Sequence, residues 1–334
     1  METNTMSAVS VWYQAQGEVV LRSAPLPEPG PGMACVRSLY SGISRGTERL
    51  VLSGLVPQAE ADRMRAPLQE GDFPFPVKYG YCAVGVVEAG PPAWLGRTVF
   101  CLHPHQDRFL APLAMLALVP DGVPPRRATL AANMETALNA IWDSGAGPGD
   151  RIAVIGGGVV GLLVASLSSR LPGAAVTLVD VNATRATLAA ALGAAFALPA
   201  QAPQDCDVVF HASASEAGLA TAIGCAGMEA NVVEMSWYGD RAVRVPLGGA
   251  FHSRRLRLIA SQVGQVAVSR RPRWSYARRL AAALDLLRSD ALDTLVAESI
   301  DLADVPKLLP ALLQGPPLGL APVIRYPGAD CFAV

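Results

Sequence analysis

Short apolar runs alternate with polar turns through the first third of the chain. Residues 9–13 and 18–21 read as strands around Gly17, 25–32 as a Pro/Gly-rich turn, and 33–39, 84–88, 97–102 and 108–111 as further strands. Residues 50–75 form a long polar excursion, partly helical, and long loops in compact domains often carry function. From Ala128 the period changes. Helix 129–144, strand 151–155, helix 159–171, strand 175–179, helix 184–192 ended by Gly193, and strands 207–211, 231–235 and 256–260 follow in alternation. Such alternation predicts an α/β fold with a doubly wound parallel sheet. Beyond Arg271 the pattern gives a helix through Leu287, a strand near Val296, a helix over 305–313 and a last strand over 323–326. The expected organisation is an α/β domain over 128–270 and a β-rich domain made from 1–127 and 271–334.

The apolar strand over 151–155 runs into Gly156-Gly157-Gly158-Val159-Val160-Gly161, and Asp180 ends the next apolar strand. Glycines at a strand-to-helix turn with an acid about 20 residues on form a dinucleotide fingerprint. Gly156 permits the tight turn, Gly158 lets a pyrophosphate approach the backbone, and Gly161 lets the helix pack closely. The helix start at Val159 and Val160 offers N–H groups and a positive dipole end to phosphates. Asp180 suits a ribose 2′-OH and repels a 2′-phosphate, which predicts NAD(H); Arg185, soon after it, joins the cofactor-binding set. The competing reading is close helix packing with no ligand.

Composition narrows the classes. Of 334 residues, 51% are hydrophobic and 16% charged, so most of the chain must fold into cores. A net charge of -1 gives no electrostatic case for nucleic acid or an anionic membrane as partner. Residues 152–169 are long and apolar enough for a span, but the glycine cluster and the α/β pattern after it argue against one. The polar stretch 1–7 lacks the apolar run of a secretion signal. Cys35, Cys82, Cys101, Cys206, Cys225 and Cys331 form no C-x-x-C pair, which fits a reducing cytoplasm.

A β-rich start, a dinucleotide domain and a returning C-terminal segment resemble the medium-chain dehydrogenase/reductase superfamily along nearly the whole chain. The resemblance implies a GroES-like catalytic domain beside a Rossmann cofactor domain and a small-molecule substrate, with a homodimer as the candidate assembly. In the family's zinc alcohol dehydrogenases, ligands fall in a G-I-C-G-T-D-like motif, in G-H-E, and just before a helical Thr that touches nicotinamide. Here these read Gly42-Ile43-Ser44-Arg45-Gly46-Thr47-Glu48, Gly80-Tyr81-Cys82, and Ala132 or Asn133 before Thr136. The four-cysteine lobe for structural zinc is missing. Ser, Tyr and Ala or Asn do not make a zinc site, so no metal is expected. Residues 41–50 with Gly80-Tyr81 resemble the branch containing bacteriochlorophyllide a dehydrogenase, which oxidises a hydroxyethyl group on a chlorin ring with NAD. The insert 57–75 and Cys82 depart from that branch.

Without zinc, protein donors must manage the proton and the developing alkoxide. Tyr81 is the first candidate acid/base, the alternative being an aromatic packed on the cofactor. Ser44 can hydrogen-bond the reacting oxygen or be a satisfied loop hydroxyl. Glu48 can orient a neighbour or pair with Arg45 or Arg49 at the surface. His105 and Asp107 form an H-x-D in which the carboxylate can fix the imidazole tautomer, the alternative being a surface loop. Glu135 and Asn139 share a face of the helix carrying Thr136. Ser261 and Gln262 follow the strand where family members present groups to the nicotinamide amide. His211 lies by topology near the cofactor crevice. Cys101, His103 and His105 alternate and with Cys82 offer an alternative metal site, opposed by Pro104. The cluster Arg270, Arg271, Arg273 and Trp274 can meet an acidic substrate, a partner or only solvent. The leading expectation is a zinc-independent NAD(H) oxidoreductase acting on a secondary alcohol or ketone. A quinone or enoyl reductase and a non-catalytic NAD(H)-binding protein are the alternatives.

Overall fold

The computed structural model describes residues 6–296, 298–315 and 319–329; Cys331 lies outside the described residues. The chain divides into two compact units, one of Met1–Ala132 with Leu280–Val334 and the other of Asn133–Arg279.

The first unit is built on two sheets. Ser7–Ala15 turns back on Glu18–Pro25 through Gly17, whose φ of +77° suits glycine, and Val77–Lys78 then Glu70–Gly71 extend the sheet on the other edge. The larger sheet runs Ser299–Asp301, Val323–Arg325, Met33–Gly42, Ala83–Ala89, Thr98–Cys101 and Leu116–Leu118, with Arg108–Pro112 also paired to Met33–Gly42. Along Arg108–Pro112 the buried Phe109 and Ala111 alternate with half-buried neighbours, the period-2 pattern of a strand with one face in a core. They pack with Ala34, Val36, Ala83, Val87, Val99, Cys101 and Leu116. The C-terminal return is bound into this unit by pairing. Val323 lies opposite Gly42 and Ile324 opposite Ser41. The buried Arg127 adds a side-chain tie, donating to Asp290 and to both carboxylate oxygens of Asp293 at 2.7 Å.

The second unit is a six-stranded parallel sheet. Its order is Ala195–Ala197, Ala175–Val179, Arg151–Ile155, Cys206–His211, Ala226–Glu234 and Arg257–Ala260. Chain order therefore reverses between Arg151–Ile155 and Cys206–His211, the mark of a doubly wound fold, in which the carboxyl ends of the strands at the reversal are the general place for a ligand. Helix Val159–Ser168 is buried along most of its length, and Ala153, Ile155, Val179, Val209, Leu219, Ile223 and Val232 belong to the core of the sheet. A buried Arg279 ties helix Ala131–Ser144 to the segment after the last strand, donating to Glu135 and Asn139 at 2.8 Å and to the carbonyl of Val263 at 2.6 Å.

Several sequence expectations shift. The glycine-motif helix stops at Ser168, not Leu171, and the strand expected near Val296 is Ser299–Asp301. Val296 is buried outside any strand, so its apolar character serves packing. The excursion over 50–75 opens with the end of helix Arg45–Leu52, passes through a 3-10 turn at Gln58–Glu60 and reaches the short strand Glu70–Gly71. The pattern did not single out helix Glu216–Cys225, which is apolar on most sides, or the three-residue strand Ala195–Ala197. Among the described residues no helix is long and apolar enough to cross a membrane.

Candidate functional site

Each glycine of the turn meets a different demand. Gly156 has φ +112°, and a Cβ there would lie 2.8 Å from the Ser213 nitrogen. At Gly161 a Cβ would come within 1.9 Å of the Gly156 carbonyl oxygen, so the helix approaches the turn more closely than any side chain allows. Gly158 is the exception: a Cβ there would meet nothing within 4 Å. The protein itself leaves that face of Gly158 open, the condition for a ligand to approach the chain's backbone there. Gly158 is also the N-cap of helix Val159–Ser168, so the half-buried Val159 and Val160 begin the helix with N–H groups that lack intrahelical partners.

Asp180 is held against this turn. One carboxylate oxygen accepts the Gly157 N–H at 2.5 Å and the other the Asn182 N–H at 2.7 Å. Arg185 starts the next helix, and its aliphatic stem would lie 3.0 Å from a Cβ on Gly157. The turn, Asp180 and Arg185 thus form one continuous wall.

In the other unit Glu48 is the centre of a buried network. The sequence left open a surface pair with Arg45 or Arg49; the structure instead buries Glu48 completely, and Arg45 donates to the carbonyls of Leu312 at 3.2 Å and Gly315 at 3.1 Å. Glu48 Oε2 accepts from Tyr13 Oη at 2.6 Å and lies 3.1 Å from His105 Nε2, while Oε1 accepts the Ser44 N–H at 2.7 Å. His105 Nδ1 lies 2.7 Å from Ser41 Oγ, which is 2.8 Å from Tyr326 Oη. Burial pushes the Glu48 carboxyl up, but the His105 charge and the bonds from His105, Tyr13 and Ser44 outweigh it and hold it below the ordinary value. Gly80 (φ +121°) makes room for this imidazole, because a Cβ there would stand 2.8 Å from the His105 ring.

This geometry corrects the H-x-D reading. Asp107 accepts the Val9 N–H at 2.7 Å, on the edge of Ser7–Ala15, while the carboxylate that orients His105 is Glu48, from a distant helix. His105 is fully buried, so it is not on a surface loop.

Ser44 is the N-cap of helix Arg45–Leu52, half-buried. Tyr81 is also half-buried; its hydroxyl donates to Thr47 Oγ1 at 3.3 Å and bonds with Ser44. Burial, with the neighbouring Cys82, pushes the Tyr81 phenol well above its ordinary value despite those bonds. Tyr81 therefore keeps its proton and acts as a donor at neutral pH. Ser44, Thr47 and Tyr81 form a small hydroxyl cluster, with Glu48 behind it holding the Ser44 backbone.

Thr136 lies half-buried on helix Ala131–Ser144. Ser261 donates to Asp143 Oδ2 at 2.8 Å, and the exposed Gln262 accepts the Gly264 N–H at 2.7 Å. Glu135 and Asn139 share a face as expected but hold Arg279. The Cys82, Cys101, His103 and His105 set is committed elsewhere. His103 stacks on Phe109 with Nδ1 2.8 Å from the Pro104 carbonyl, both nitrogens of His105 are engaged, and burial pushes the Cys101 thiol up to about 12. Among the described residues no group of three or more His, Cys, Asp or Glu side chains is placed to hold a metal ion. Tyr13, Ser41 and Tyr326 carried no sequence signal, since each joins Glu48 or His105 only through the tertiary fold.

No family model matches the chain. Solved structures do. A putative zinc-binding dehydrogenase from Sinorhizobium meliloti 1021 bound to NADP is 20% identical over 96% of this chain and 99% of that chain, with a TM-score of 0.76. A short chain alcohol dehydrogenase from E. coli CFT073 complexed with NADH is 15% identical, with the same coverage and TM-score. The 2R,3R-butanediol dehydrogenase from Bacillus subtilis is 17% identical over 95% of this chain and 99% of that chain, with a TM-score of 0.75. At such identities the likeness is one of fold: the chain has the architecture of these dehydrogenases along nearly its whole length.

Two outcomes follow from the geometry. Gly161→Ala should lower unfolding stability by about 3 kcal/mol in urea titration, because its methyl has no room. Gly158→Ala should cost under about 1 kcal/mol as an N-cap change. Equal costs at the two positions would contradict the reading of the turn. Glu48→Gln should be less stable than the parent at pH 7 by about 3 kcal/mol, since it breaks a buried charge network. The Glu48 carboxyl has a lowered folded-state value, so its stabilisation is present above the ordinary carboxylate range and lost as pH falls through that lowered value. The gap between parent and variant should therefore narrow in acid; a gap independent of pH would show that Glu48 is not ionised in the fold.

Proposed function

We propose that this protein is an NAD(H)-dependent oxidoreductase that moves hydride between nicotinamide and a secondary alcohol or ketone without zinc. The observation that carries the proposal is the turn at Gly156–Gly161, closed to side chains at both ends, open at Gly158 and walled by Asp180. Among proteins of the same fold, one structure is bound to NADP and another is complexed with NADH. Asp180 favours NAD(H) here, because its carboxylate repels a 2′-phosphate.

The residues present suit a dinucleotide. The N–H groups at the start of helix Val159–Ser168 would hold its diphosphate, and Asp180 has lone pairs left for ribose hydroxyls. The residues at the zinc-ligand positions do not suit zinc. Ser44 and Tyr81 offer hydroxyls, Tyr81 with its proton held tightly, and the third position falls on Ala132 or Asn133, an apolar or a neutral amide side chain. Zinc requires thiolate, imidazole or carboxylate donors.

A bound nicotinamide would supply or accept the hydride. Tyr81 and Ser44 would donate hydrogen bonds to the substrate oxygen and stabilise its developing charge. Tyr81, keeping its proton, suits the reducing direction, and Glu48 fixes Ser44 through the backbone N–H. Among secondary alcohols, a hydroxyethyl group on a chlorin ring is the substrate that the resemblance over residues 41–50 and Gly80-Tyr81 supports. The buried free cysteines Cys35, Cys82, Cys101, Cys206 and Cys225 suit a cytoplasmic location.

Steady-state kinetics with NADH and a ketone panel tests this reading. Tyr81→Phe should lower turnover by about 10²-fold with cofactor affinity kept; unchanged turnover would remove Tyr81 from the chemistry. Asp180→Ala should narrow the preference for NADH over NADPH, and an unchanged preference would assign selectivity to another residue.

A further inference from the structure

The segment that follows strand Arg257–Ala260 carries charge that the chemistry above does not use. Residues 262–279 contain five arginines and no acid. Arg279 is buried and paired with Glu135. Arg270, Arg271, Arg273 and Arg278 are exposed, and none of the four forms an ion pair among the described residues.

Aromatic rings and carbonyls hold these side chains in place. The Arg278 guanidinium lies 4.1 Å from the centroid of the Trp274 ring and donates to the Arg273 carbonyl at 2.7 Å. The Arg270 guanidinium lies 5.6 Å from the centroid of the Trp142 ring, and the two indoles pack with centroids 4.6 Å apart. Arg271 Nε donates to the Val266 carbonyl at 2.7 Å. Ring faces and carbonyls orient a guanidinium but leave its full charge in place. Asp143 is near enough for the Arg271 charge to act on its carboxyl, yet its Oδ2 is taken by Ser261 at 2.8 Å and Asn139 at 3.0 Å. The cluster is therefore ordered by its neighbours and not neutralised by them.

A cleft of about 220 Å³ opens beside it, lined by Gln265, Val266, Arg271, Trp274, Ser275 and Tyr276. The Tyr276 hydroxyl donates to the Gly264 carbonyl at 3.1 Å and lies 3.3 Å from Gln265 Oε1. Ser275 Oγ accepts the Arg278 N–H at 3.1 Å, which leaves its own proton to donate. Gln265 Nε2 and the two Nη groups of Arg271 make no hydrogen bond among the described residues. What remains is a guanidinium fork, an amide and a hydroxyl, all donors, beside the apolar walls of Val266 and Trp274. No carboxylate lines the cleft. The planar fork of arginine matches two oxygens of a carboxylate or phosphate. The volume is below the roughly 300 Å³ at which pockets for whole small molecules begin, so it suits the acidic end of a molecule.

We propose that this cleft binds the carboxylate or phosphate group of an organic anion. Arg271 clasps the oxygens, Gln265 and Ser275 donate to them, and Val266 and Trp274 meet the adjoining carbon atoms. None of these residues belongs to the glycine turn or to the hydroxyl cluster, so the site stands whether or not a dinucleotide binds.

Calorimetric titration with inorganic phosphate and phenyl phosphate tests it. The parent protein should bind both in the millimolar range or more tightly. Phenyl phosphate should bind the more tightly of the two, because the apolar walls meet its ring; equal affinities would keep the oxyanion site and assign it to free phosphate. Arg271→Gln should weaken both probes by about tenfold or more, the scale of a charge-assisted hydrogen bond. Gln265→Glu, which sets a carboxylate beside the guanidinium, should abolish binding, and it keeps the test open if Arg271→Gln does not fold. Arg170→Gln makes the same charge change at another exposed arginine and should bind as the parent does. A parent that binds neither probe, full affinity in Arg271→Gln or Gln265→Glu, or an equal loss in Arg170→Gln would each overturn the proposal.

Discussion

Gly161 packs so close to the carbonyl of Gly156 that a methyl there would come within 1.9 Å of the oxygen. That contact sets the start of helix Val159–Ser168 directly on the end of strand Arg151–Ile155. The helix's unpartnered N–H groups consequently face the crevice left where strand order reverses. Asp180 braces the same turn from the neighbouring strand, bonded to the Gly157 N–H. One steric constraint therefore places a positive dipole end, an open backbone face at Gly158 and a carboxylate side by side, which is what a dinucleotide needs from a protein.

The first unit depends on a different interaction. Glu48 collects bonds from Tyr13, His105 and the Ser44 backbone, and His105 continues through Ser41 to Tyr326. The network joins the first strand, the helix Arg45–Leu52, the strand Met33–Gly42, the segment after Thr98–Cys101 and the C-terminal return. Every member except Ser44 is buried, so an unpaired group would be costly, and the pairing specifies one arrangement. The hydroxyl cluster of Ser44, Thr47 and Tyr81 stands on that base. Under the proposed zinc-independent chemistry its donors need such support, because a loose hydroxyl loses much of its power to stabilise developing charge.

The sequence made the glycine turn legible because its chemistry is local: strand, glycines, helix and Asp180 follow one another along the chain. The parallel sheet was legible for the same reason, since each buried strand is a short apolar run. Helix Glu216–Cys225 was not, because a segment apolar on most sides lacks the 3.6-residue rhythm. Glu48 was a candidate for orienting a neighbour, but which neighbours it orients was hidden for a different reason. Its partners Tyr13, His105 and Ser44 come from separate segments, and a glutamate in an arginine-rich stretch reads as a surface charge until the fold buries it. Asp107 misled in the opposite way, being adjacent in sequence to His105 but turned toward Val9. His211 was placed near the crevice by topology, whereas its bonds to Ser213 and Glu234 needed side-chain geometry.

The central claim is that hydride passes between nicotinamide and a carbinol carbon with protein hydroxyls as the donors. Following deuterium from NADH labelled at nicotinamide C4 into ketone and enone substrates measures this directly. The account predicts label on the carbon that becomes the alcohol, in protein freed of metal by chelation. Label on an alkene carbon, or transfer that appears only when zinc is restored, would contradict it.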